Sequence, residues 1–196
     1  MRTDRRMLMA GHGLPSAYER LEYIENTSTA YIDCGVEPKY TFDYEIKTNA
    51  VTGNIAFGCG YVDDSHDYRF FCTQGNHLYF DVGTKRLTSS FSVTLPYHAK
   101  FGNYYVESLD TGGKTSGVTF GETMNGAKVS NLLLLYGYGN VKAKVWLLKI
   151  NDGGKPVRDF IPAKRKSDGT IGMYDLVGRK FYTSPNGVAF SGGGKS

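Results

Sequence analysis

Cysteine is scarce in this chain of 196 residues: Cys34, Cys59 and Cys72 are all it has. They are odd in number and far apart, and none lies in a CxxC pair, so neither a zinc ribbon nor a redox motif is encoded. Reduced, buried thiols in a protein folded in a cytosol are the expectation. No apolar run approaches the roughly 18 residues of a membrane-crossing helix. Met7, Leu8, Met9 and Ala10 follow arginines but are too few for a signal-peptide core, so export by the usual secretory route is not expected. Neither sign of charge dominates. The net charge of +4 is spread along the chain and leaves no electrostatic footprint for nucleic acid. An amphipathic helical period sustained over three turns is also missing. So are a GxSxG elbow and a GxxxxGK[ST] phosphate loop, and His12, His66, His77 and His98 sit in no nucleophile motif.

What the chain does have is 15 Tyr, 11 Phe and 25 Gly, a mixture that favours strands and tight turns. Residues 141–150, VKAKVWLLKI, begin with clean alternation and continue with apolar residues of both parities. That pattern reads as a long strand entering the middle of a sheet stack, with the single tryptophan, Trp146, anchoring a core. Tyr40, Phe42, Tyr44 and Ile46 alternate with Thr41, Asp43, Glu45 and Lys47, as in an antiparallel strand with one wet face. Shorter strands are expected at 18–24, 30–34, 54–61, 68–72, 77–82, 90–95, 100–108, 117–121 and 131–136. Gln74-Gly75-Asn76 marks a hairpin, and Gly112-Gly113, Asn125-Gly126 and residues 137–140 mark turns. Many short strands at regular spacing make an all-β, antiparallel two-sheet sandwich or jelly roll.

Residues 1–13, MRTDRRMLMAGHG, read as a basic N-terminal arm. It is either a loose chain end or a segment ordered against a neighbouring subunit through Met7, Leu8 and Met9. Phosphate binding by Arg2, Arg5 and Arg6 is the third reading. One domain, 14–196, follows. From about residue 152 it consists of short hairpins that cover an edge of the sandwich, and Gly192, Gly193, Gly194, Lys195 and Ser196 read as a tail.

Two stretches carry a family likeness. Residues 14–35, LPSAYERLEYIENTSTAYIDCG, resemble the opening LPxxYxxLEYIExTGTQYIDTG of phage and prophage proteins of gut bacteria. Residues 160–190, FIPAKRKSDGTIGMYDLVGRKFYTSPNGVAF, resemble that family's closing segment, FxPxxRxSDGxxGxYDxVxxxFYxNxGxGxF. Asn26-Thr27-Ser28 and Cys34 depart from the usual pattern, at a turn and a strand end. The resemblance implies a concanavalin-like (laminin-G-like) jelly roll in a tail, fibre or capsid-associated protein. A fold shared by lectins, hydrolases and structural modules does not fix a function.

Candidate chemistry is sparse. Asp43 and Glu45 share a strand face about 6.5 Å apart, a spacing compatible with a glycosidase pair, but Lys47 stands where a further carboxylate is needed. Asp63, Asp64, His66 and Asp67 form an acidic cluster without the spacing or turn glycine of a calcium loop. Tyr61, Asp64, His66, Tyr68, Tyr136 and Tyr138 combine aromatic faces with acceptors as a sugar site would. The bland alternative is tyrosines capping strand ends. The expectation is a non-enzymatic virion structural protein without cofactor or metal, made in the host bacterial cytoplasm. Small single-domain length favours a capsid-associated decoration or head fibre over a tail component. The arm residues Arg2, Arg5, Arg6, Met7, Leu8 and Met9 would contact other virion proteins, with neither nucleic acid nor membrane as partner and an oligomeric state in the particle. The alternative is a carbohydrate-binding tail or adhesion module for host-surface or mucus glycans.

Overall fold

The structure is a computed structural model that describes residues 13–27, 29–50, 57–59, 67–72, 76–103, 105–117, 131–135 and 142–195. Those residues form strands and turns. The first eight strands are β1 (Tyr18–Glu25), β2 (Ile32–Asp33), β3 (Phe42–Thr48), β4 (Phe57–Cys59), β5 (Asp67–Cys72), β6 (His77–Gly83), β7 (Lys85–Ser92) and β8 (Tyr97–Gly102). The remainder are β9 (Tyr105–Ser108), β10 (Lys114–Ser116), β11 (Leu133–Leu134), β12 (Lys144–Asp152), β13 (Lys155–Arg165), β14 (Ile171–Asp175), β15 (Lys180–Tyr182) and β16 (Ser191–Lys195). Two antiparallel sheets result, a β-sandwich. The larger runs β10-β9-β8-β3-β12-β1-β13-β14-β15, with β16 also paired to β1, and the smaller runs β2-β11-β4-β5-β6-β7.

Alternation decides which sheet face is dry. Along β3, Phe42, Tyr44, Ile46 and Thr48 are buried while Asp43, Glu45 and Lys47 are half-buried on the outer face. Tyr44 and Phe101 from the larger sheet meet Phe57, Tyr68, Phe70 and Phe80 from the smaller one in a continuous aromatic core. The hydroxyls of Tyr44 and Tyr68 bond to each other at 2.7 Å, which satisfies both polar tips inside the core. Cys34 is a buried free thiol whose pKa is pushed well up by desolvation.

β12 lies mid-sheet, between β3 and β1, as its pattern implies. The tryptophan does not anchor the core, however. The register between β12 and β3 slips between Val145 and Leu147. Two successive residues, Trp146 and Leu147, therefore stay half-buried outside while Val145 and Leu148 point in. β12 and β13 pair near their connecting turn and then diverge. β1 occupies the fork, bonding β12 at Ile24 and Glu25 and β13 at Tyr18, Glu19 and Arg20.

Other boundaries differ from the sequence pattern for local reasons. Residues 97–108 form two strands, β8 and β9, folded back so that Gly102 faces Tyr105. Gly192, Gly193 and Gly194 are no free tail: β16 pairs with β1 along Leu21, Tyr23, Ile24 and Glu25. A Cβ at 193 would push the Tyr23 ring aside, so glycine lets that ring lie against β16. The terminal hairpins extend the larger sheet by hydrogen bonding, β13 to β14 to β15, and do not fold over an edge.

A second, smaller core lies around the terminal strands. Ile161, Ala163 and Tyr174 are buried there, with Leu14, Tyr18, Leu176 and Phe181 packed against them. The Tyr18 ring centroid is 5.0 Å from those of both Tyr174 and Phe181. The backbone agrees: Lys166 donates to the Ala17 carbonyl at 2.9 Å and its ammonium to the Ser16 carbonyl at 2.7 Å.

Candidate functional site

The outer face of the larger sheet, the side away from the smaller sheet, gathers the chemistry available among the described residues. Strand registers line up Lys114 with Glu107, Glu107 with Lys100, Lys100 with Glu45, Glu45 with Lys149 and Lys149 with Asp159. The result is one row of alternating charge across β10, β9, β8, β3, β12 and β13. Opposite charges placed directly across strands stabilise each pairing by a few tenths of a kcal/mol up to about 1 kcal/mol. Glu45 is the hub of the row. It takes a hydrogen bond from His98 Nε2 at 3.0 Å and one from the Lys149 ammonium at 3.3 Å. Beside it, the Tyr105 hydroxyl donates to Asp43 at 3.1 Å.

These contacts set the proton affinities. The bond from His98 is the main cause of a Glu45 carboxyl lowered to about 2, and Lys149 adds to it. Asp159, by contrast, is raised by its own burial. Burial also raises the Tyr105 phenol, and Asp43 reinforces the shift. A carboxylate already holding two cationic or imidazole partners has no proton to give as a general acid. Lys149 stands between Glu45 and Asp159 in register, where a glycosidase pair would need room for a sugar and a water. Asp43 and Glu45 do share the outer face, but as members of separate hydrogen-bonded pairs.

A pH consequence follows. The folded-state carboxyl of Glu45 lies below the ordinary 4.5, so its stabilisation is complete above that value and is lost as pH falls towards about 2. Solvent screening limits the effect to about 1 kcal/mol. Glu45→Gln is expected to flatten this part of the stability–pH curve. Urea midpoints of variant and parent, apart at pH 7, should converge near pH 2; a constant separation would contradict the assignment.

Next to the charge row, the same face carries an aromatic strip. Tyr23 on β1 and Trp146 on β12 are half-buried with ring centroids 5.7 Å apart. The Lys144 ammonium sits 4.1 Å from the Tyr23 ring centroid, a cation–π contact. Lys47 stands opposite Leu147 and has no ion-pair partner among the described residues. Lys142, Lys144 and Trp146 share one parity, so the lysines' phase already marks the tryptophan as outward-facing.

Tyr61, Asp64, His66, Tyr136 and Tyr138 fall outside the described residues, as do Asp63, Arg2, Arg5, Arg6, Met7, Leu8 and Met9. Tyr68 is inside the core, 2% exposed, and this corrects its place among the expected sugar contacts. Its even position on β5 points it at Tyr44 and Phe80. Among the described residues no group of three or more His, Cys, Asp or Glu side chains is arranged to hold a metal. No helix there is long and apolar enough to cross a membrane. No protein-family model matches the chain, and no curated protein matches it.

Proposed function

We propose that this chain is a non-enzymatic structural protein of a phage particle, a concanavalin-like jelly roll attached through residues 1–13 and associated with the capsid. The observation that carries the reading is the packing of Tyr18 on Tyr174 and Phe181. The opening and closing motifs that resemble the phage family are far apart in sequence, yet they meet in one small core with Leu14 and Ile161. β16, just after the closing motif, then pairs with β1, inside the opening one. The motif positions are therefore coupled packing positions, which is what a shared fold demands of a sequence.

The outer-face carboxylates support the non-enzymatic part, since Glu45 is committed to His98 and Lys149. Gly13, the first described residue, is exposed with open space around its Cα. Arg2, Arg5, Arg6, Met7, Leu8 and Met9 are the residues that would contact other virion proteins.

Deleting residues 1–13 tests the attachment. The shortened protein, produced beside the full chain in cells making particles, is expected to fold and to be left out of purified particles. Equal incorporation of the two forms would overturn the role of the arm.

A further inference from the structure

We infer that the aromatic strip on the outer face of the larger sheet is a binding site for an acidic saccharide, a ring stacking on Trp146 at the edge of Tyr23 with its carboxylate received by Lys47 and Lys144. The site is independent of the particle reading above and uses none of the loop residues. Its floor is built by two local devices. Alternation after buried Val145 puts Trp146 on the outer side, and the β-bulge between Val145 and Leu147 adds Leu147 to it. Gly193 lacks the side chain that would displace the Tyr23 ring, so the aromatic surface continues towards β16.

The strip crosses Lys47 on β3, Leu147 and Trp146 on β12, Tyr23 on β1 and Gly193 on β16. At about 4.8 Å per strand spacing this is roughly 14 Å, long enough for more than one sugar ring. The half-buried indole of Trp146, braced by the tilted Tyr23 ring, offers apolar surface on a rigid sheet at little entropic cost, which suits the C–H face of a pyranose.

Charge selects the class of sugar. Lys142 and Lys144 flank buried Ala143 and so share the outer side, and Lys47 lies across β12 without an ion-pair partner among the described residues. Glu25 stands across from Lys144 in register and accepts from Ser191 Oγ at 3.4 Å. Three lysines around two rings favour an anion. The carboxylates Glu25 and Glu45 argue against a polyphosphate, which cannot donate to them, whereas sugar hydroxyls can. An acidic saccharide satisfies both signs at once.

Because Trp146 is the chain's one tryptophan, its fluorescence reports on this site alone. Titration of the full chain with trigalacturonic acid is expected to give a saturable change in emission, confirmed by calorimetry. Lys47→Gln, at a surface position that leaves the fold intact by circular dichroism, should weaken binding by about tenfold, equivalent to about 1.4 kcal/mol. Tyr23→Leu should remove binding measured by calorimetry. Maltotriose and a thymidine oligonucleotide serve as neutral and phosphate controls and are expected to leave emission unchanged. Absence of a saturable response to trigalacturonic acid, equal binding of maltotriose, or preference for the oligonucleotide would each overturn the inference.

Discussion

Replacing Phe70 by alanine is expected to cost about 3–5 kcal/mol of unfolding free energy, a large share of what a domain of this size has. Phe70 is the hub of the aromatic core. Its ring lies 4.8 Å from Tyr44 and 4.6 Å from Phe101, both on the larger sheet. Within its own sheet it stacks on Phe57 at 5.5 Å, tilts against Phe80 at 4.2 Å and meets Tyr68 edge-on at 5.7 Å. Truncation removes contacts on both sides of the sandwich, and the surrounding rings, held in strands, cannot collapse into the space. Urea unfolding measures the loss; a loss below about 1 kcal/mol would mean that the two sheets do not depend on this contact.

The second large effect is expected at Asp175, which is 0% exposed and carries a charge into the interior. Its Oδ1 accepts the backbone N–H groups of Asp159 and Val177, each at 3.0 Å, and its Oδ2 accepts that of Gly178, also at 3.0 Å. Arg158 approaches to 3.6 Å and is itself tied to the carbonyls of Cys34 and Gly35. One carboxylate thus ends β14, shapes the following turn and links it through Arg158 to the end of β2. Asp175→Ala would orphan three N–H groups and leave Arg158 uncompensated, so a loss of about 3–5 kcal/mol is expected. Asp175→Asn keeps part of the acceptor set and should cost less. In the double variant with Arg158→Leu the losses should fall short of additive, which a double-mutant cycle measures. Strict additivity would show that the pair is not coupled.

How much of this was readable from the chain depends on the range of the interaction. β3 was legible because Phe42, Tyr44 and Ile46 alternate with charged neighbours, and period two is a local property. β8 and β9 read as one strand from the apolar residues on both sides, although Gly102-Asn103 is itself a turn signal. Trp146 was assigned to the core on residue type, although its parity matched Lys142 and Lys144; the bulge that also turns Leu147 out is set by pairing with β3. Tyr68 opens the expected strand 68–72, but which face of β5 is dry depends on the opposing sheet, so residue type alone does not show that its ring turns into the core. The partners of Glu45 come from β8 and β12, and only the folded sheet brings His98 and Lys149 to it. Asp175 falls on the YD letters of the closing motif, but its role as a buried cap is defined by backbone groups that carry no sequence label.

Quantitative mass spectrometry of purified particles decides whether the chain belongs to a phage particle. The chain is expected among the particle proteins, at a copy number close to that of the major capsid protein for a capsid-lattice component. A far lower number would move it to a vertex, a fibre or the tail, and its absence from intact particles would contradict the account.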